Sequence, residues 1–124
     1  MPTLKKTSLI LLIALYLVAG SNHFVHPTGY WKLIPPYLPF PKILNLSAGF
    51  FEIFFGSMLI FKPSRKYAVY GIILMLIAFI PAHVYMIQIA PFMLGKLTVT
   101  KTGAWIRLPL QAVLILWAYW HRKD

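Results

Sequence analysis

ILNLSAGFFEIFFGSMLIF, residues 43–61, is a run of 19 residues with a single charge, Glu52, near its middle. A helix needs about 20 mostly apolar residues to cross the hydrocarbon core of a bilayer. This run is therefore read as a membrane span, and three more segments follow the same rule: 8–22, 67–90 and 104–120. The outer two are short, and flanking Trp, Tyr and Lys can carry them to the interface. The expected fold is all-α, a single domain over residues 1–124 built as a four-transmembrane-helix bundle, with a proline-rich outer loop between the first two spans.

Composition points the same way. The chain has 124 residues, 60% hydrophobic and 11% charged, whereas a soluble domain has about 25% charged residues. Twelve Lys and Arg against two acids give a formal charge of +10. These cations fall in short clusters between apolar runs, as membrane topology requires and a nucleic-acid groove does not. The chain contains no cysteine, which excludes disulfides, thiol relays and thiolate metal sites.

Lys5 and Lys6 before an apolar run also fit a secretory signal, with Val18-Ala19-Gly20 as a cleavage point. The run continues to a His-containing end, which favours an uncleaved first helix. Lys5, Lys6, Lys62, Arg65, Lys66, Arg122 and Lys123 gather on one side, and Lys32, Lys42, Lys96, Lys101 and Arg107 on the other. The excess places both termini in the cytoplasm of a cell whose inner membrane holds the protein. Between His26 and Lys42 lie five of the ten prolines, with Tyr30, Trp31, Tyr37 and Phe40. This segment reads either as an ordered lid or as an interfacial anchor. Thr98, Val99 and Thr100 mark a short extended piece in the second outer loop.

Ionisable groups inside a span are costly and invite a functional reading. At 100° per residue, Glu52 shares a face with Asn45, Ala48, Gly49, Gly56 and Leu59, while Ile43, Phe50, Phe54 and Phe61 lie opposite. Glu52 is expected to point inward, about 13 Å below the outer boundary. On the fourth span Arg107, Gln111, Leu114 and Ala118 form one stripe, with Pro109 acceptable in an opening turn. Arg107 is expected to reach Glu52, an ion pair that offsets the cost of placing either charge in the interior. His83 is expected to face inward past a kink at Pro81, and His23 stands at the outer end of the first span. His23, Glu52, His83, Arg107 and Gln111 together make a candidate polar pocket. The plainer alternative is that Glu52 and Arg107 merely pin helices together. No two histidines have metal-ligand spacing, and haem between His23 and His83 rests on axial histidines alone, a weak signal.

The chain resembles the DoxX family of membrane proteins. The resemblance lies in His23-Phe24 leading to Pro27, PPYLPFPKILNLSAGFFEIFFG (35–56), RKYAVYGIILMLIAFIPAHVYM (65–86) and WIRLPLQAVLILWAYW (105–120). It implies a four-helix integral membrane protein, mostly of bacteria, in a family named after a subunit associated with quinol oxidase and thiosulfate:quinone oxidoreductase. Three functions follow as expectations. The first is an accessory protein, not clearly an enzyme, whose pocket binds a small amphipathic molecule such as a quinone or lipid headgroup. The second is a proton-coupled exporter, disfavoured if Arg107 holds the only membrane carboxylate. The third is a structural subunit of a larger membrane complex.

Overall fold

The computed structural model describes residues 2–94 and 96–124. It is 78% helical, in the order α1 (Thr3–Val25), α2 (Pro27–Trp31), α3 (Pro41–Ile60), α4 (Lys62–Ala78), α5 (Ile80–Ile89), β1 (Phe92–Leu94), β2 (Leu97–Val99) and α6 (Lys101–Trp120). Three stretches are long and apolar enough to cross a membrane: Thr3–Val25, Pro41–Ile60 and Lys62–Ile89. Only 28%, 28% and 17% of their most apolar windows are buried inside the protein. The remaining apolar surface needs cover from lipid, which makes this a multi-pass membrane protein. Helix α6 is not among the three. It has 20 residues, but Lys101, Arg107, Pro109 and Gln111 dilute its apolar content.

Helices α1 and α3 pack at very short range. A Cβ on Gly49 would sit 2.7 Å from the His23 Cβ and 2.9 Å from the Gly20 carbonyl oxygen. One on Gly20 would meet the Gly49 carbonyl oxygen at 2.8 Å. Small residues of this kind allow backbones to approach where lipid offers no hydrophobic drive. The buried stripe of α3 is Asn45, Gly49, Glu52, Gly56 and Leu59, while Phe50 and Phe54 are exposed. The inward face expected for Glu52 is the one observed.

The half of the bundle nearer the termini is closed. Leu9, Leu12 and Tyr16 of α1, Leu59 of α3, Ala68, Val69, Ile72 and Leu76 of α4, and Ala118 of α6 form one buried core. At the other end a smaller cluster joins Leu33, Met86, Val99 and Ala104. Within the expected span over 67–90 the helix is interrupted near the expected kink: α4 ends at Ala78 and α5 starts at Ile80, with Phe79 in αR conformation at the junction. Pro81 has no N–H for the Ile77 carbonyl, so the ladder is interrupted there. Helix α5 then packs chiefly on α6.

Two loop expectations gain detail and one helix expectation is corrected. The proline-rich segment contains the short helix α2, with Pro27 at its first position, where the missing N–H costs nothing. The second loop forms a two-stranded antiparallel hairpin pairing Phe92 with Val99 and Leu94 with Leu97. Pro109 lies well inside α6 rather than in its opening turn. The Thr100 side chain accepts a hydrogen bond from the Gly103 N–H at 3.1 Å, and this cap starts the helix three residues earlier than expected.

Gly49→Val forces α1 and α3 apart and is expected to cost about 1–3 kcal/mol in detergent unfolding measurements, the range for overpacking. Phe50→Leu, on the exposed face, is expected to stay within about 0.5 kcal/mol of the parent.

Candidate functional site

Above the closed core the helices enclose a cavity of about 460 Å³. His23 from α1, Glu52 from α3, His83 from α5, and Arg107 and Gln111 from α6 all stand on its wall. The remainder is mostly apolar, with Tyr16, Leu44, Phe79 and Met86 among its side chains. Leu33 and Pro35 of the proline-rich segment are buried and line the same space. A volume of a few hundred Å³ with a few convergent polar groups is the ordinary form of a small-molecule site.

The expected ion pair between Glu52 and Arg107 is not formed. Glu52 Oε2 instead faces His23 Nε2 at 3.4 Å. The reason is local to the α1–α3 contact. Asn45 Nδ2 donates to the His23 main-chain carbonyl at 2.9 Å, and Asn45 Oδ1 lies 2.6 Å from His23 Nδ1. The amide therefore presents its oxygen to the ring, and Nδ1 must carry a proton that it donates. Nε2 is left facing the carboxyl group. A proton on either Nε2 or Oε2 would make that contact attractive. The Tyr30 ring stacks on His23 with centroids 3.8 Å apart, and Asn22 Nδ2 donates to the Tyr30 hydroxyl at 2.7 Å. Helix α2 thus covers the pair.

Glu52 is only 5% exposed, yet its Oε2 has no partner with hydrogen-bond geometry, and neither has the buried His83 Nδ1. Unsatisfied buried polar atoms are costly and call for explanation. Arg107 Nη1 reaches Met86 Sδ at 3.5 Å, a weak acceptor. Gln111 plays a different part: its Nε2 donates to the Leu76 carbonyl at 2.9 Å. That carbonyl belongs to the last turn of α4, where the broken ladder leaves acceptors short of donors. Gln111 braces the helix break.

A second polar cluster, not singled out from the sequence, closes the opposite end. His121 is fully buried; its Nδ1 lies 2.6 Å from Asp124 Oδ2, and its Nε2 lies 3.1 Å from Ser8 Oγ. Trp117 Nε1 donates to Ser8 Oγ at 2.8 Å, and Lys5 Nζ is 2.8 Å from Asp124 Oδ1. Arg65, expected only as a topology signal, is buried. It donates to the Leu59 carbonyl at 2.8 Å, the Ile60 carbonyl at 3.2 Å and the Asp124 carbonyl at 3.0 Å. It thereby satisfies carbonyls at the end of α3 that no helix N–H can reach. The array ties the start of α1, the α3–α4 turn and the end of α6 together.

Burial alone would raise the Asp124 carboxyl, but the hydrogen bonds and charges of Lys5 and His121 outweigh it and hold the group below the ordinary carboxylate range. A depressed carboxylate contributes stability that is complete above its unfolded value and lost as pH falls through its folded one. Acid titration of tryptophan emission in detergent is expected to show a step below about pH 4 as Trp117 loses its setting. Asp124→Asn is expected to remove that step.

A family model described as Domain of unknown function (DUF8561) matches residues 12–122. No curated protein and no solved structure matches the chain.

Proposed function

The chain belongs to the DUF8561 family, and we propose a DoxX-like, four-span inner-membrane protein that serves as an accessory and binds a small amphipathic molecule. One observation carries this reading. A mostly apolar cavity holds two buried polar atoms that make no hydrogen bond within the protein: Glu52 Oε2, which faces His23 Nε2 at 3.4 Å, and His83 Nδ1. A ligand with a polar head and an apolar body, such as a quinone or a lipid, would satisfy both sides of that wall. The proline-rich segment serves as its lid, because Leu33, Pro35 and Tyr30 lie over the cavity.

Four crossings are supported by the meeting of Lys5 with Asp124, which brings the start of α1 and the end of α6 to one side. With no native cysteine, single cysteines can report the sidedness. Lys6→Cys, Ser64→Cys and Lys123→Cys are expected to react with an impermeant maleimide only from the cytoplasm, and Lys96→Cys only from outside. Labelling of Lys6→Cys and Lys123→Cys from opposite sides would mean three crossings.

Native mass spectrometry of gently extracted protein is expected to show a bound amphipathic molecule. Glu52→Gln alters the hydrogen bonding at Oε2 and is expected to lower its occupancy roughly tenfold, the equivalent of about 1.4 kcal/mol. A parent protein that emerges empty from native lipid would overturn the reading.

Proton-coupled export gains from the correction at Glu52. The case against it was an arginine neighbour, and the observed partner is a histidine that can exchange a proton. An exporter requires Glu52 to lose and regain that proton during each cycle; the binding reading does not.

A further inference from the structure

Among the described residues, Arg107 stands on the cavity wall without a carboxylate partner. The sequence has only two acids. Glu52 is taken by His23, and Asp124, at the far end of the bundle, by Lys5 and His121. Among the described residues no carboxylate comes within 4.0 Å of the Arg107 guanidinium, whose hydrogen bond is to the Met86 sulfur. A guanidinium stays charged at any physiological pH and offers a planar fork of donors suited to a carboxylate or phosphate. Held half-buried beside apolar walls, it is expensive to leave unpaired. The fork is therefore open to an anion from outside the chain.

We propose, building on the reading that the cavity binds an amphipathic molecule, that its occupant carries one anionic head, a carboxylate or a phosphate monoester, on an alkyl tail. The head sits on the Arg107 fork, and the tail fills the apolar remainder of the roughly 460 Å³ space. Glu52 does not oppose this. Its Oε2 faces His23 Nε2 at 3.4 Å, turned toward α1 rather than toward the Arg107 fork. His83 Nδ1, buried and without a partner, stands on the same wall as a second polar group for the head. A cationic amphiphile is disfavoured by Arg107, and a neutral one would leave the guanidinium as poorly paired as before.

The test uses the full chain in a nonionic detergent, offered an equimolar mixture of oleate, methyl oleate, dioleoylphosphatidic acid and dioleoylphosphatidylcholine and read by native mass spectrometry. Oleate or phosphatidic acid is expected to be retained at least tenfold over methyl oleate and phosphatidylcholine. Which of the two dominates distinguishes a free fatty acid from a lipid headgroup as the source of the anion. Arg107→Gln is expected to abolish the preference, and Arg107→Lys to keep part of it. Equal retention of oleate and methyl oleate by the parent protein would overturn the anionic assignment while leaving the amphiphile reading intact. Retention of none of the four would overturn the anionic assignment, and a parent protein that also emerges empty from native lipid would overturn both. Displacement of oleate by inorganic phosphate with no effect of tail length would overturn the part assigned to the tail. Where Arg107→Gln does not fold, the comparison of oleate with its methyl ester on the unmodified chain decides.

Discussion

Everything at the polar end of this bundle depends on the double hydrogen bond between His23 and Asn45. One contact joins side chain to main chain and the other joins side chain to side chain, so both the ring plane and the tautomer of His23 are set. The bond forms because Gly20 and Gly49 let α1 and α3 approach until backbone touches backbone. A larger residue at either position would separate the helices and pull the imidazole away from Glu52. Helix packing and site electrostatics are therefore one problem here. In a chain with twelve cations and two acids, the choice of which cation takes which acid decides what is left for a ligand. The structure gives one acid to a histidine in the cavity and the other to the latch at the termini.

The two halves of the molecule are built on different principles. Near the termini, aliphatic side chains from four helices fill the interior and fully buried polar groups find partners within it. Toward the other end α4 breaks at Phe79, α5 turns toward α6, and the space between is walled rather than filled. Gln111 allows this by taking over the Leu76 carbonyl. Without such a donor, the break would expose an unsatisfied acceptor to an apolar interior, at a cost of about 1–3 kcal/mol. Gln111, read from sequence as a pocket residue, lines the cavity and also braces the helix break.

Much of the architecture was legible because lipid enforces a simple rule: apolar length, interrupted by basic clusters. The inward face of α3 could be placed residue by residue, since small residues and Glu52 recur together at helical spacing opposite a row of phenylalanines. All five candidate residues stand on one cavity. Their pairing was not legible. A helical wheel gives direction around an axis but not which neighbouring helix lies closest, and α1, whose packing is set by two glycines, supplied the partner for Glu52. The latch at the termini was hidden for a related reason: Ser8 is more than a hundred positions from His121 and Asp124, and the three carry no motif spacing and fall near helix ends, where polar residues are ordinary. The Gly20–Gly49 approach and the polar residues one turn beyond each glycine, His23 and Glu52, were the available clue.

The division of residues 62–89 into two helices has a mechanical consequence. As one straight rod, 28 residues would measure about 42 Å, well beyond a hydrocarbon core of about 30 Å. The junction at Phe79 lets the distal piece incline independently while the proximal piece stays locked in the aliphatic core. Hydrophobic mismatch would then be absorbed at this joint, on the side that carries the cavity.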